Sequence, residues 1–104
     1  MRNLIIVFIS LFTFCIGISG QQKCKLNVGS FNLRYDNEGD KDDSWAHRKD
    51  MAVSLVHFHD FDVFGIQEGL IHQVKDLVKD GTYTFVGVGR DDGKEAGEHA
   101  AVLF

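Results

Sequence analysis

An amide and a carboxylate stand side by side at the end of a strongly apolar run. Residues 63–66 read Val-Phe-Gly-Ile, which is typical of a buried strand, and Gln67 and Glu68 follow at once. A carboxylate in such a place needs a cation or several hydrogen-bond donors to stay charged. Glu68 therefore suits a hard divalent cation such as Mg²⁺, which binds one or two carboxylates and keeps several waters. Because acidic residues also favour the first turn of a helix, a capping role for Glu68 stays open.

A second polar side chain, Asn32, stands near the end of an earlier strand-like run over residues 26–33. A predicted helix over residues 45–57 separates this run from the strand predicted over residues 62–67. A strand–helix–strand unit brings both strand ends to one edge of a parallel sheet, which is where open α/β sheets bind ligands. We therefore expect Asn32 and Glu68 to lie together, with the Asn32 amide oxygen as a further metal ligand.

The segment over residues 87–99, "GVGRDDGKEAGEH", carries a second group of candidates. Arg90 follows a strand predicted over residues 83–88, and its guanidinium suits bidentate binding of a phosphate. Glu98 precedes the strand predicted to begin at Ala100, where it could support the metal or orient Arg90. The alternative is a charged hairpin loop whose glycines supply the turn geometry.

The helix over residues 45–57 has Ser44 as its predicted N-cap. Trp45 and Met51 are predicted core residues, and Arg48 is predicted to bury its stem and pair with a carboxylate. A second helix is predicted over residues 70–79, with three apolar residues facing inward, namely Val74, Leu77 and Val78.

Two patterns that resemble metal sites fail a spacing test. The acidic loop that starts at Asp36 has Lys41 where a calcium loop needs glycine and His47 where it needs glutamate. His57 and His59 are two residues apart on a helix, so their side chains point to nearly opposite sides. None of the five histidines in the sequence is predicted to act as a catalytic general base.

The beginning of the chain has the pattern of a secretory signal. Arg2 precedes an apolar stretch over residues 4–18, small residues follow up to Gly20, and the stretch is shorter than the roughly 20 residues that span a bilayer. We expect a cleaved signal peptide over residues 1–20, with an uncleaved membrane anchor as the alternative, and the N-terminal part of one domain over residues 21–104. The sequence finishes on an apolar run over residues 100–104, and we therefore expect it to be the front part of a longer fold.

Charge and cysteine content limit the function classes. Fifteen acidic and eleven basic residues give a net charge of −4, which does not favour broad nucleic-acid binding. Without the signal only Cys24 remains, so no disulfide is expected within the domain.

Three segments together resemble the start of the endonuclease/exonuclease/phosphatase superfamily, and in particular its secreted bacterial members. They cover most of the chain after the signal and read "VGSFNLRYDNEGDKDDSWAHRKDMAVSLV", "DFDVFGIQEGL" and "YTFVGVGRDDGKEAGEHAAVLF". In that superfamily an asparagine of the first strand and a glutamate closing the next line the metal site. Here they match Asn32 and Glu68.

The resemblance implies an α/β fold of which this chain is the N-terminal part, a two-sheet αββα sandwich of the DNase-like type with helices outside. It also implies a metal-dependent phosphoesterase, using Mg²⁺ or alternatively Mn²⁺, that acts on nucleic acid, an inositol phosphate or a phospholipid headgroup. No stable protein partner is implied, and the expected location is periplasmic or extracellular.

The family's Asp-x-Asn motif and its terminal Asp-His pair have no counterpart here. We therefore expect the 104-residue chain to be inactive by itself. A noncatalytic ligand-binding module on the same fold is the alternative function.

Overall fold

Residues 23–104 are described by a computed structural model. The predicted signal peptide over residues 1–20 lies outside the described residues. No helix within residues 23–104 has both the length and the apolar character required to cross a membrane.

The described residues form four strands and two α-helices. Their order is β1 (Val28–Asn32), α1 (Trp45–His59), β2 (Val63–Gly69), α2 (Ile71–Val78), β3 (Phe85–Val86) and β4 (His99–Leu103), with a 3-10 segment (Glu38–Asp43) before α1. The strand predicted over residues 83–88 is shorter than expected. Gly87, with a φ of 149°, follows β3 at once, and a Cβ there would lie 2.7 Å from that of Ala101.

The strands form one sheet in the order β1-β2-β4-β3. β1 and β2 are parallel and are joined through α1, which confirms the predicted crossover unit. β4 runs antiparallel to both of its neighbours. In the register of the parallel pair Asn32 lies opposite Gln67, so the two strands end at the same edge of the sheet.

Both helices pack on one face of the sheet. The core beneath them contains Leu33, Val56, Phe64, Ile66, Val74, Leu77, Tyr83, Ala101 and Leu103, all buried. Burial of each large aliphatic or aromatic side chain stabilises the fold by about 1.5–3 kcal/mol. Val74 and Leu77 face inward as predicted, and Val78 is partly buried against the same core. The sheet is therefore a packed support for the residues at its edge.

The inward face of α1 differs in part from the prediction. Trp45 is buried, together with Ala52 and Val56, but Met51 is 71% exposed, so its assignment to the core is wrong. Successive residues of an α-helix are about 100° apart, so the position just before Ala52 points away from the sheet.

The hydrogen bonds at the start of α1 also differ in part from the prediction. Ser44 is the N-cap residue, as predicted, but its side chain makes no capping hydrogen bond, and Asp36 Oδ1 accepts from the Trp45 amide at 3.1 Å. Among the described residues Arg48 makes no ion pair with a carboxylate, which differs from the prediction. Its guanidinium donates to the backbone carbonyls of Leu33 and Asp43, at 2.8 and 2.6 Å, and to that of Arg34 at 2.8 Å.

The second face of the sheet carries apolar side chains without a covering layer among residues 23–104. Val28, Val86 and Val102 are 63%, 63% and 41% exposed. The mixed α/β class is confirmed, while the second sheet of the expected sandwich stays a prediction.

Candidate metal and phosphate site

Asn32 and Glu68 meet where the two parallel strands end. Asn32 Nδ2 donates a hydrogen bond to Glu68 Oε1 at 3.0 Å. Asn32 is exposed at the end of β1, and Glu68 is half-buried near the end of β2. The expected proximity is confirmed, because the crossover through α1 places both strand ends on one edge.

Glu68 reaches this position through an irregularity in β2. The pairing with β4 shifts register between Ile66 and Gly69, and within this bulge Glu68 has a φ of 57°. A left-handed conformation costs a residue with a Cβ roughly 1–2 kcal/mol. Bulges often turn a side chain toward an active site, and strain of this kind collects at functional positions. The backbone is therefore distorted where the candidate ligand is presented.

The capping alternative for Glu68 has less support from the hydrogen bonds. α2 begins after Leu70, and the Leu70 amide donates to Gln73 Oε1 at 3.0 Å. The side chain that caps the first turn of α2 is therefore that of Gln73, whereas the Glu68 side chain bonds to Asn32 on β1.

The Asn32 amide has the opposite orientation to the one expected of a metal ligand. Its Oδ1 accepts from the Arg34 amide at 2.8 Å, which leaves Nδ2 for Glu68. Arg34 has a φ of 55°, and this left-handed turn brings its N–H back toward the asparagine. In this structure the Asn32 side chain donates to the Glu68 carboxylate, and its role as a metal ligand stays a prediction.

Arg90 and Glu98 line the same concave site, which has a volume of about 530 Å³. Arg90 Nη1 donates to Glu98 Oε2 at 3.0 Å, and the arginine side chain is 66% exposed. Of the two roles proposed for Glu98, orientation of Arg90 matches this geometry. The four predicted site residues are brought together in one depression, and their roles stay predictions.

The loop between β3 and β4 is folded back on itself. Asp92 Oδ1 accepts from the amides of Lys94 and Ala96 at 2.7 and 3.0 Å, and these bonds lower the pKa of the Asp92 carboxyl. A Cβ at Gly89 would overlap the Ala96 carbonyl, so glycine permits the close approach. Arg90 and Glu98 are therefore held by an ordered turn.

Sequence reasoning missed His99, which also lines the concave site. Its side chain is buried, with Nδ1 3.1 Å from the Gly97 carbonyl oxygen, and its Nε2 has no hydrogen-bond partner in the described part of the chain. No local pattern marks this histidine, because its burial comes from the packing of the sheet.

Two other histidines pair with acids elsewhere. His57 Nε2 lies 2.9 Å from Asp80 Oδ2, and His72 Nε2 lies 2.9 Å from Asp36 Oδ2.

The donor set can be compared with what Mg²⁺ requires. Within residues 23–104 no three histidine, cysteine or acidic side chains converge as a metal cluster. The Asn32 bond engages one oxygen of the Glu68 carboxylate. Because Mg²⁺ often takes one or two carboxylates and keeps several waters, a single oriented carboxylate fits its usual mode of binding.

Solved structures share this segment at substantial identity. A mannosyl-6-phosphatase from Bacteroides thetaiotaomicron is 44% identical with a TM-score of 0.73, over 77% of this chain and 31% of its own. An endonuclease/exonuclease/phosphatase from Bacteroides vulgatus is 41% identical with a TM-score of 0.76, over 79% of this chain and 32% of its own.

A further Bacteroides thetaiotaomicron protein, of the endonuclease/exonuclease/phosphatase family, is 45% identical with a TM-score of 0.72. The match covers 76% of this chain and 29% of that protein. No protein-family model matches the chain, and no curated protein matches it. The chain spans about 30% of the length of these structural relatives. On the strength of these matches, the chain belongs to the endonuclease/exonuclease/phosphatase superfamily.

Proposed function

We propose that the protein carrying this segment is a phosphoesterase that hydrolyses phosphoester bonds with Mg²⁺, or with Mn²⁺ in its place. The observation that supports this most directly is the 3.0 Å bond from Asn32 to Glu68 at the rim of the concave site. It orients a half-buried carboxylate in a depression that also contains an exposed arginine, Arg90. A cation and a phosphate are the ligands that these two groups bind best.

Each residue has a distinct task in this proposal. Glu68 would hold the ion, and Asn32 would fix the carboxylate so that one oxygen faces the site. The ion would supply charge stabilisation at the phosphoryl group. Arg90 would bind phosphate oxygens through charge-assisted hydrogen bonds, oriented by Glu98. The general base is expected from the family's motifs that have no counterpart in this segment.

The same proposal includes a second sheet. The uncovered face presents Val28, Val86 and Val102, and a row of exposed apolar side chains on a sheet needs a covering layer. A two-sheet sandwich would bury these valines against a second sheet about 10 Å away.

A sugar phosphomonoester is the first substrate class to test, because one relative is a mannosyl-6-phosphatase at 44% identity. Nucleic acid, inositol phosphates and phospholipid headgroups follow. The net charge of −4 does not favour a polynucleotide.

The test is hydrolysis by the intact protein of mannose 6-phosphate, a dinucleotide, an inositol phosphate and sphingomyelin, each with Mg²⁺ and with a chelator. Glu68→Gln serves as the inactive control. Lys75→Gln, which breaks an exposed ion pair with Glu95, serves as the surface control. We expect metal-dependent turnover of one of these substrate classes. This turnover should be absent in Glu68→Gln and retained in Lys75→Gln. Binding of a phosphate ester without turnover of any substrate would instead support the noncatalytic module.

A further inference from the structure

One buried side chain joins the two turns that present Asn32 and Glu68. Gln73, in the first turn of α2, is fully buried with 0% exposure. Its Oε1 accepts from the amides of Asp36 and Leu70 at 3.1 and 3.0 Å. Its Nε2 donates to the Arg34 carbonyl at 3.0 Å.

The partners of Gln73 stand next to the site residues along the chain. The Arg34 amide binds Asn32 Oδ1, and Leu70 is two residues after Glu68. Arg34 and Glu68 both have left-handed backbones, with φ values of 55° and 57°. A residue with a Cβ keeps a left-handed backbone only where its surroundings hold it there. Gln73 bonds to the carbonyl of Arg34 itself and to the Leu70 amide, two residues after Glu68.

A second side chain secures the same turn after β1. Arg48 donates to the Leu33 and Arg34 carbonyls at 2.8 Å each, so the Arg34 carbonyl accepts from both Arg48 and Gln73. None of these donors reaches the Glu68 carboxylate. Their effect on Glu68 passes through the backbone of Arg34 and the amide of Asn32.

We propose that Gln73 is a positioning residue whose three hydrogen bonds set the relative placement of Asn32 and Glu68. The catalytic consequence of this placement rests on the proposed function, but the placement itself does not. The competing account is a buried glutamine that stabilises the fold and has no particular effect on the site.

The test compares Gln73→Met with Tyr83→Phe in the intact protein. Methionine keeps the length and burial but loses all three hydrogen bonds. Tyr83→Phe loses one partly buried bond to a backbone carbonyl, from the hydroxyl to Phe61 at 3.0 Å. Phe61 lies just before β2, at the end of the strand opposite Glu68, so this control loosens the fold away from the site.

The first readout needs neither metal nor substrate. The side-chain amide resonances of Asn32, measured by ¹⁵N NMR without metal, report the bond to Glu68. We expect these resonances to shift toward those of a free amide in Gln73→Met and to stay in place in Tyr83→Phe. Unchanged Asn32 resonances in folded Gln73→Met would overturn the proposal.

The second readout is Mn²⁺ affinity, measured by water-proton relaxation at a temperature where both variants are folded. Loss of a residue that orients a metal ligand typically weakens metal binding about 10–100-fold, and we expect that change only in Gln73→Met. If wild type binds no Mn²⁺, the proposed function fails, while the Asn32 resonances still decide the role of Gln73.

A second variant covers the case in which Gln73→Met does not fold. Gln73→Glu keeps an acceptor for the Asp36 and Leu70 amides, and the new carboxyl can donate to the Arg34 carbonyl only while it is protonated. We expect the Asn32 resonances of this variant to match those of wild type at a pH where the new carboxyl is protonated, and to shift at a pH where its ¹³C resonance shows it ionised, because only the Arg34 bond is then broken. Asn32 resonances identical to wild type with the new carboxyl ionised would contradict a role exerted through Arg34.

Discussion

Asn32 Nδ2 lies 3.0 Å from Glu68 Oε1, although 36 residues separate the two along the chain. The parallel pairing of β1 and β2 brings the strand ends together, and the bulge at the end of β2 turns the carboxylate toward β1. A hydrogen bond to a carboxylate is stronger than one between neutral groups and fixes the direction of its second oxygen.

Replacing Glu68 with glutamine distinguishes a metal-ligand role of this residue from a helix-capping role. Glu68→Gln keeps the shape and removes the charge, so we expect weaker Mg²⁺ binding and a severely lower kcat. The Tm without metal should be unchanged or higher, because a half-buried charge no longer needs to be desolvated. A capping role predicts normal turnover and a loss of about 0.5–1 kcal/mol. Calorimetric Mg²⁺ titration, kinetics and thermal melts of one preparation distinguish the two.

Replacing Glu68 with glycine tests the cost of its left-handed backbone. We expect Glu68→Gly to lose metal binding while its free energy of unfolding stays equal or rises by up to about 1 kcal/mol, since glycine adopts positive φ without strain. The neighbouring Gln67→Gly, where φ is not positive, should lose about 0.5–1 kcal/mol. Urea unfolding of both variants checks this, and equal destabilisation would show that the conformation at Glu68 carries no strain.

Arg90→Lys tests the phosphate role. Lysine keeps the charge but loses the planar fork, so we expect the Kd for inorganic phosphate to rise roughly 10-fold. The Tm should change little, because the pair with Glu98 is largely exposed on the arginine side. Lys75→Arg makes the reverse charge-conserving exchange in an exposed ion pair and is the matched control, and an equal change in the phosphate Kd of that variant would show that the guanidinium of Arg90 has no particular role.

The stability of the loop that contains Arg90 should depend on pH because of the Asp92 carboxyl. Hydrogen bonds from the Ala96 and Lys94 amides depress the pKa of the Asp92 carboxyl below its ordinary value of 3.8. A depressed pKa means that the charged form stabilises the folded state above pH 3.8, and that this contribution disappears as the pH falls through the lower folded-state value. Melts of wild type and Asp92→Asn should differ near neutral pH and converge in acid. A constant difference would contradict the assignment, and the exposed Asp42→Asn is the control.

Export remains a prediction from the apolar stretch over residues 4–18. We expect cleavage near Gly20, so that intact-mass analysis of the exported protein gives a start within a few residues of Gln21. A mature species that begins at Met1 and stays in the membrane would rule out a cleaved signal.

The sequence alone was sufficient to predict the crossover unit and the meeting of Asn32 with Glu68. Both follow from local patterns, because alternating apolar residues mark strands, and a strand–helix–strand connection brings parallel strand ends to one edge. Trp45, Val74 and Leu77 were also predicted correctly, since helical spacing decides which positions face a sheet.

Only the tertiary structure decided how the site is held. The left-handed backbone of Glu68, the orientation of the Asn32 amide and the three bonds of Gln73 depend on partners distant in sequence. The same is true of Arg48, whose predicted carboxylate partner is replaced by backbone carbonyls. Apolar periodicity reports which face of an element is buried. The direction of a hydrogen bond depends instead on which unpaired donors and acceptors the completed packing brings within about 3 Å.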